Sequence, residues 1–281
     1  MNRFCDLHTH SVFSDGTLTP TELVELAEEL GLGAVALTDH NTVLGLPEFL
    51  AAAEGKAVEA VPGVEFSVDY QDGELHILAL YIRPEHYGAA MAIAGQMQEN
   101  KRKSNIALVE ALNRAGYAIS YEKIKAAMPA GEPNRALIAA ELKACGYVSS
   151  NQEAFQKLLS PKHGYYVPPK HIDAFELISF VRSIGAVAVW AHPWLHLKQE
   201  EQVREFLSKA IPVGLQGMET QYPLYTPEQT ALAASLAEEY GLLQSGGSDF
   251  HGANKPDIAL GTGKGSLAVP VELLRKIKEK I

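Results

Sequence analysis

The sequence predicts an α/β fold, a distorted (β/α) barrel of the TIM type with a helical insertion domain, on three observations. Strand-like and helix-like stretches alternate about seven times along the 281 residues, as in a parallel barrel or a doubly wound sheet. Histidines and carboxylates fall at the C-terminal ends of many different strands, where barrel enzymes assemble their sites. An open sheet would concentrate them near one switch point. From about residue 88 to 165 the strands stop and only helical periodicity continues. The domains are then 1–87 with 166–281 as the barrel, and 88–165 as the insertion.

The first strand is short and apolar (Phe4, Cys5, Leu7) and ends in His8-Thr9-His10. Thr19-Pro20-Thr21-Glu22 reads as a capping box with proline at the first helical position. Leu23, Leu26, Ala27 and Leu30 then repeat at helical spacing up to Gly31. The stretch 34–40, AVALTDH, is a second strand, and 46–54 a second helix. AVEAVPGVEFSVDY and ELHILALY are further strands joined by a hairpin turn at Gln71-Asp72-Gly73. The insertion reads as two main helices, MAIAGQMQENKRKSNIALVEALNRAGY and NRALIAAELKACGY. The alternation resumes with helix 173–185, strand 186–193, a helix near 199–210 and strand 215–220. Helix 226–241 follows with its own capping box, Thr226 to Gln229, then strand 242–251 and a last helix from Pro270. The GTGKG stretch at 261–265 lacks the spacing of a phosphate loop and reads as a plain turn.

Composition narrows the function classes. A formal charge of −10 argues against gripping duplex nucleic acid, which rests on Lys and Arg neutralising phosphates. It leaves room for a small phosphorylated substrate, because bound divalent ions bring positive charge of their own. No stretch reads as a signal peptide or a membrane span, so a cytoplasmic protein without membrane association is expected. Cys5 and Cys145 are too few and too distant for a disulfide framework, and each reads as a buried free thiol.

The strand ends supply a constellation. His8 and His10 stand at i and i+2, so they share a strand face, with Asp15 in the following loop. The later ends contribute His40, Glu65, His76, His192, Asp249 and His251. This set of nitrogen and oxygen donors, with no thiolate, suits two or three divalent ions of the Mn, Zn or Fe type bridged by carboxylate and water. Asp6 and Asp39 adjoin these residues and are assigned a supporting role, fixing a histidine tautomer. The other histidines, His86, His163, His171 and His196, lie in helix starts or loops and read as solvated.

The motifs DLHTHSVFSDG, ALTDHNT, PGVEFS, HILAL, WAHP and GSDFHG, in that order, resemble the polymerase-and-histidinol-phosphatase (PHP) superfamily. They are most similar to its stand-alone metal-dependent phosphoesterases. The resemblance spans nearly the whole chain. It implies a seven-stranded (β/α)7 barrel and a trinuclear site held by His8, His10, Asp15, His40, Glu65, His76, His192, Asp249 and His251. It also implies hydrolysis of a phosphomonoester of a small metabolite or nucleotide by a metal-activated hydroxide, a nucleoside 3′,5′-bisphosphate being one such substrate. Two alternatives stay open: a 5′–3′ exonuclease on short single-stranded oligonucleotides, and a non-catalytic module that binds metal or a phosphometabolite. A metal-dependent amidohydrolase is also chemically compatible with such a site.

Substrate choice is expected to rest on the insertion as a lid. Lys101 and Arg102, within the basic run 101–103, are candidates to hold a second phosphate. Relatives often carry Gly-Arg-Pro-His at the start of an insertion helix. This chain has Gly131-Glu132-Pro133-Asn134-Arg135, so Arg135 becomes the candidate phosphate contact there.

Overall fold

The computed structural model describes residues 4–71, 73–126 and 132–281. The chain forms two units, Met1–Ala92 with Ile172–Ile281, and Ile93–His171.

The strands of the first unit are β1 (Phe4–Asp6), β2 (Ala34–Leu37), β3 (Glu59–Tyr70), β4 (Gly73–Leu80), β5 (Ile172–Asp173), β6 (Val187–Ala191), β7 (Gly217–Gln221), β8 (Leu243–Gly246) and β9 (Val269–Pro270). They line up in the order β8-β7-β6-β4-β3-β2-β1-β9, with β5 beside β3. Beyond its assigned strand, β1 also meets the extension of β8. Leu7 N–H donates to Gly246 O (3.2 Å), Asp249 N–H donates to His8 O (2.8 Å), and Thr9 and Phe250 form a parallel bridge. Seven strands, β1–β4 and β6–β8, therefore make a nearly closed, barrel-like sheet.

Within these seven, one strand departs from the parallel pattern, and the edge strand β9 also pairs antiparallel, with β1. β4 pairs antiparallel with both β3 and β6, whereas β1–β2–β3 and β6–β7–β8 are parallel. The reversal follows from the tight β3–β4 hairpin; Asp72 of its turn lies outside the described residues. The start of β4, not its end, therefore reaches the rim where the other strands finish. The expected strand 242–251 is regular only over Leu243–Gly246 and continues as isolated pairing with the residues after β1.

Helices α1 (Pro20–Glu29) and α2 (Leu46–Ala52) follow β1 and β2. Thr19 Oγ1 accepts from Glu22 N–H (3.1 Å) while the Glu22 carboxylate accepts from Thr19 N–H (2.8 Å), so both halves of the capping box form. The barrel core joins Cys5 and Leu7 to Ala34, Ala36, Val61, Leu78, Leu80, Val187 and Val189.

The long helix α3 (Tyr87–Arg114) leads into the second unit, which adds α4 (Tyr121–Ala126), α5 (Arg135–Ala144) and α6 (Asn151–Ala154). This unit buries its own core, including Leu108, Leu112, Ile138, Leu142 and Leu159. Cys145, expected to be buried, is exposed at the end of α5, whereas Cys5 is buried. The first unit then continues with α7 (Ala174–Ser183), α8 (Pro193–His196), α9 (Glu200–Ala210), α10 (Pro227–Glu239) and α11 (Val271–Lys278). Among the described residues, no helix is long and apolar enough to cross a membrane.

Candidate metal centre

Glu65 lies on β3 and is fully buried. The β3–β4 register sets His76 opposite Ser67, which shares a strand face with Glu65. His76 thus approaches diagonally, with Nδ1 2.8 Å from Glu65 Oε1. His192, just past β6, brings Nε2 to 2.9 Å from the same oxygen. The other oxygen, Oε2, has His40 Nδ1 at 3.0 Å, His8 Nε2 at 3.2 Å and His10 Nε2 at 3.3 Å. Five imidazoles from four strands, β1, β2, β4 and β6, thus crowd one buried carboxylate.

Asp249 completes the centre from the end of β8. Its Oδ1 lies 3.2 Å from His10 Nε2, 3.4 Å from His251 Nδ1 and 3.7 Å from His8 Nε2. Asp15, on the loop after β1, places Oδ1 3.1 Å from His251 Nε2, 3.9 Å from His40 Nε2 and 4.0 Å from His10 Nδ1. The nine residues singled out from the strand ends therefore meet in one place, all within the first unit.

Backbone strain helps aim them. His192 has φ 31° and Asp249 φ 56°, the left-handed region that side-chain-bearing residues rarely adopt. Gly247 permits the closeness of β1 and β8, because a Cβ there would stand 2.4 Å from His8 Cβ.

The charges interlock. Burial resists ionisation of Glu65, but the surrounding imidazoles, His8 foremost, hold its carboxyl well below the usual range. Burial likewise opposes a charge on His10 and His76. The adjoining carboxylates of Asp249 and Glu65 nevertheless raise His10 to about 9, and Glu65 raises His76 to about 10. Burial pushes His40 down to about 3.

A divalent-metal centre fits these residues on an observation independent of motif. His8 Nε2, His10 Nε2, His40 Nδ1, Asp15 Oδ1 and Glu65 Oε2 are buried and make no hydrogen bond of acceptable geometry. Buried polar atoms left so are costly, and all five belong to this cluster. Their groups also assemble as sets of close donors: His10, Asp15, His40 and His251; His8, His10 and Asp249; His8, Glu65 and His192; His40, Glu65 and His76.

Several supporting contacts are absent from the sequence reading. Glu219, buried on β7, accepts from His8 Nδ1 (3.0 Å) and from His192 N–H (2.7 Å). It thereby turns the lone pair of His8 Nε2 toward the centre. Tyr222 and Lys255 hold Asp249 Oδ2 at 2.7 and 2.6 Å. Asp6 and Asp39 do other work than expected. Asp6 accepts from the backbone of His8, Ser248 and Gly261, so the GTGKG turn is anchored to it. Asp39 accepts from Ser11 and Ser14, fixing the loop that carries Asp15. His196, expected to be solvated, instead adjoins His76 and His192, with ring centroids 5.1 and 5.3 Å away.

The candidate phosphate contacts belong to the second unit. Arg102 pairs with Glu99 at 2.8 and 3.1 Å. Arg135 opens α5, where Asn134 is the N-cap. Its guanidinium donates to Leu159 O (3.2 Å) and stands over the Tyr166 ring at 4.5 Å. Lys101 lies on α3; Gly131 lies outside the described residues.

Comparison with known proteins bears on this geometry. The PHP domain pattern matches residues 6–166. A 5′-3′ exoribonuclease of Haemophilus influenzae is 32% identical over 89% of this chain and 91% of its own length. A 3′,5′-nucleoside bisphosphate phosphatase of Chromobacterium violaceum is 30% identical over 88% and 86%. A crystal structure from Bifidobacterium adolescentis, provisionally named a metal-dependent phosphoesterase, superposes with a TM-score of 0.79 at 31% identity, covering 98% of this chain and 96% of that one.

Proposed function

The chain belongs to the PHP-domain family and is a metal-dependent phosphoesterase, and on that premise we propose that it hydrolyses a phosphomonoester of a small phosphorylated metabolite or nucleotide, a nucleoside 3′,5′-bisphosphate among them. Two or three divalent ions of the Mn, Zn or Fe type would be held by His8, His10, Asp15, His40, Glu65, His76, His192, Asp249 and His251. The observation that carries this reading is Glu65 with five imidazole nitrogens within 3.3 Å. Neutral imidazoles and an ionised, bridging carboxylate are what such ions require of their ligands.

Ions bound there supply Lewis-acid polarisation of a phosphoryl oxygen and a water of lowered pKa. The protein's part is placement. Glu65 offers both oxygens, one to each group of histidines. Glu219 orients His8. His251 Nδ1 donates to Asp249 O (2.8 Å), which leaves its Nε2 toward Asp15. Tyr222 and Lys255 occupy Asp249 Oδ2, so that Oδ1 alone faces the centre.

The test strips the protein of metal, reloads it with Mn2+, Zn2+ or Fe2+, and measures phosphate release from a panel of phosphomonoesters. Metal-dependent turnover that His8→Ala and Asp249→Ala abolish without loss of fold is expected. Full activity in the stripped protein would sink the proposal. A second reading, removal of nucleotides from the 5′ end of short oligoribonucleotides, is supported by the likeness to the Haemophilus exoribonuclease. A 5′-phosphorylated trimer left intact while a bisphosphate is consumed rejects it. Lys101, Arg102 and Arg135 are proposed as contacts to substrate phosphate. A higher KM for a bisphosphate, with that for a monophosphate unchanged, is expected in Arg102→Gln and Arg135→Gln.

A further inference from the structure

The nine residues of the proposed centre leave one adjacent imidazole unexplained. His196 ends α8, the single turn that follows His192. Ligand atoms of His76, His192 and His196 all lie within 4.8 Å of one another. Donors sharing one tetrahedral or octahedral ion at metal–nitrogen distances near 2.0–2.1 Å stand roughly 3–4 Å apart, so small side-chain rotations suffice to gather these three. His196 Nε2 and His192 Nδ1 are both buried and make no hydrogen bond. A buried imidazole nitrogen without a partner costs stability unless something else occupies it. His76 and His192 adjoin the His196 ring at 5.1 and 5.3 Å between centroids. His196 also lines a pocket of about 430 Å3 together with Tyr70, Gln71, Glu74, Leu75, Leu195 and Leu197.

We propose that His196 joins His76 and His192 as the third imidazole of one ion site, and that this site prefers Zn2+ or Fe2+ to Mn2+. The preference follows from donor chemistry: imidazole suits Zn and Fe, whereas carboxylate and water suit Mn. The inference rests on the reading of the centre as a binder of divalent ions, and it adds a donor and a selectivity to it.

The experiment uses the full-length chain, stripped with a chelator and then titrated with Zn2+ or Mn2+. Bound metal is counted by mass spectrometry, and the visible spectrum is recorded after Co2+ substitution. His196→Phe keeps the ring and removes the nitrogens; His196→Gln keeps a polar group. Circular dichroism and melting of the metal-free variants verify the fold, so either variant suffices if the other fails. Both variants should bind Zn2+ at one site on the order of 10-fold or more weakly, keep their Mn2+ affinity within a few-fold, and lose Co2+ absorption intensity. Unchanged Zn2+ affinity, stoichiometry and Co2+ spectrum in a folded variant overturn this inference alone. A wild-type chain that takes up no divalent ion overturns the reading of the whole centre.

Discussion

At the scale of single residues, the centre balances charges that no one side chain could carry alone in a buried place. Glu65 stays ionised because imidazoles surround it, and His10 and His76 reach about 9 and about 10 because Glu65 and Asp249 face them. Without metal these two histidines are therefore protonated at neutral pH. Their folded pKa values exceed the ordinary histidine value of about 6.5. The stability they add is complete below that value and is lost as pH rises through about 9 and then about 10. Ions require neutral imidazole, so binding expels those protons and tightens over the same interval. Melting curves with and without metal from pH 6 to 10 should diverge, the stripped protein falling while the gain from metal grows. Parallel curves would show that His10 and His76 do not exchange protons for ions. Glu219→Gln makes a sharper test of orientation. It should weaken metal binding about 10–100-fold, the usual effect of removing a carboxylate behind a ligating histidine. Equilibrium dialysis with metal analysis measures it.

At the scale of elements, the site depends on two strands coming unusually close. Gly247→Ala forces a methyl group into His8 Cβ and N. It should cost about 1–3 kcal/mol, as overpacking does, with metal content falling beside the denaturation midpoint. A variant with wild-type metal content and midpoint would mean the strands yield freely. The same scale explains what could be read from the sequence. His8 and His10 were visible because a strand repeats every two residues, and α1 and α10 because a capping box is a local signal. Glu219 was not, since its value lies in contact with His8, 211 residues away, and MET in the middle of a strand looks like an ordinary surface acid. Asp6 and Asp39 drew attention through neighbouring histidines, yet their partners are backbone groups and serines on other segments. His196 reads as solvated because α8 is four residues long, too short to show which face is buried. The reversal of β4 was legible as a hairpin, but its consequence, His76 at the start of a strand, belongs to topology.

At the scale of the whole molecule, every residue of the candidate centre comes from Met1–Ala92 or Ile172–Ile281, while Ile93–His171 builds a separate core from Leu112, Ile138 and Leu142. Ions bound at the centre would tie together residues on or just beyond β1, β2, β3, β4, β6 and β8, which are far apart in sequence. Binding to the folded state alone stabilises it by mass action, by about 2.7 kcal/mol at a ligand concentration 100-fold above the dissociation constant. That gain belongs to the unit holding the ligands. Hydrogen exchange read by mass spectrometry, with and without chelator, should show protection lost in residues 4–10, 34–40, 187–192 and 243–251. Exchange in α5 and α6 should change little. Equal deprotection of both units would mean that the chain unfolds as a single cooperative body, with the metal centre stabilising the helical unit as much as the barrel.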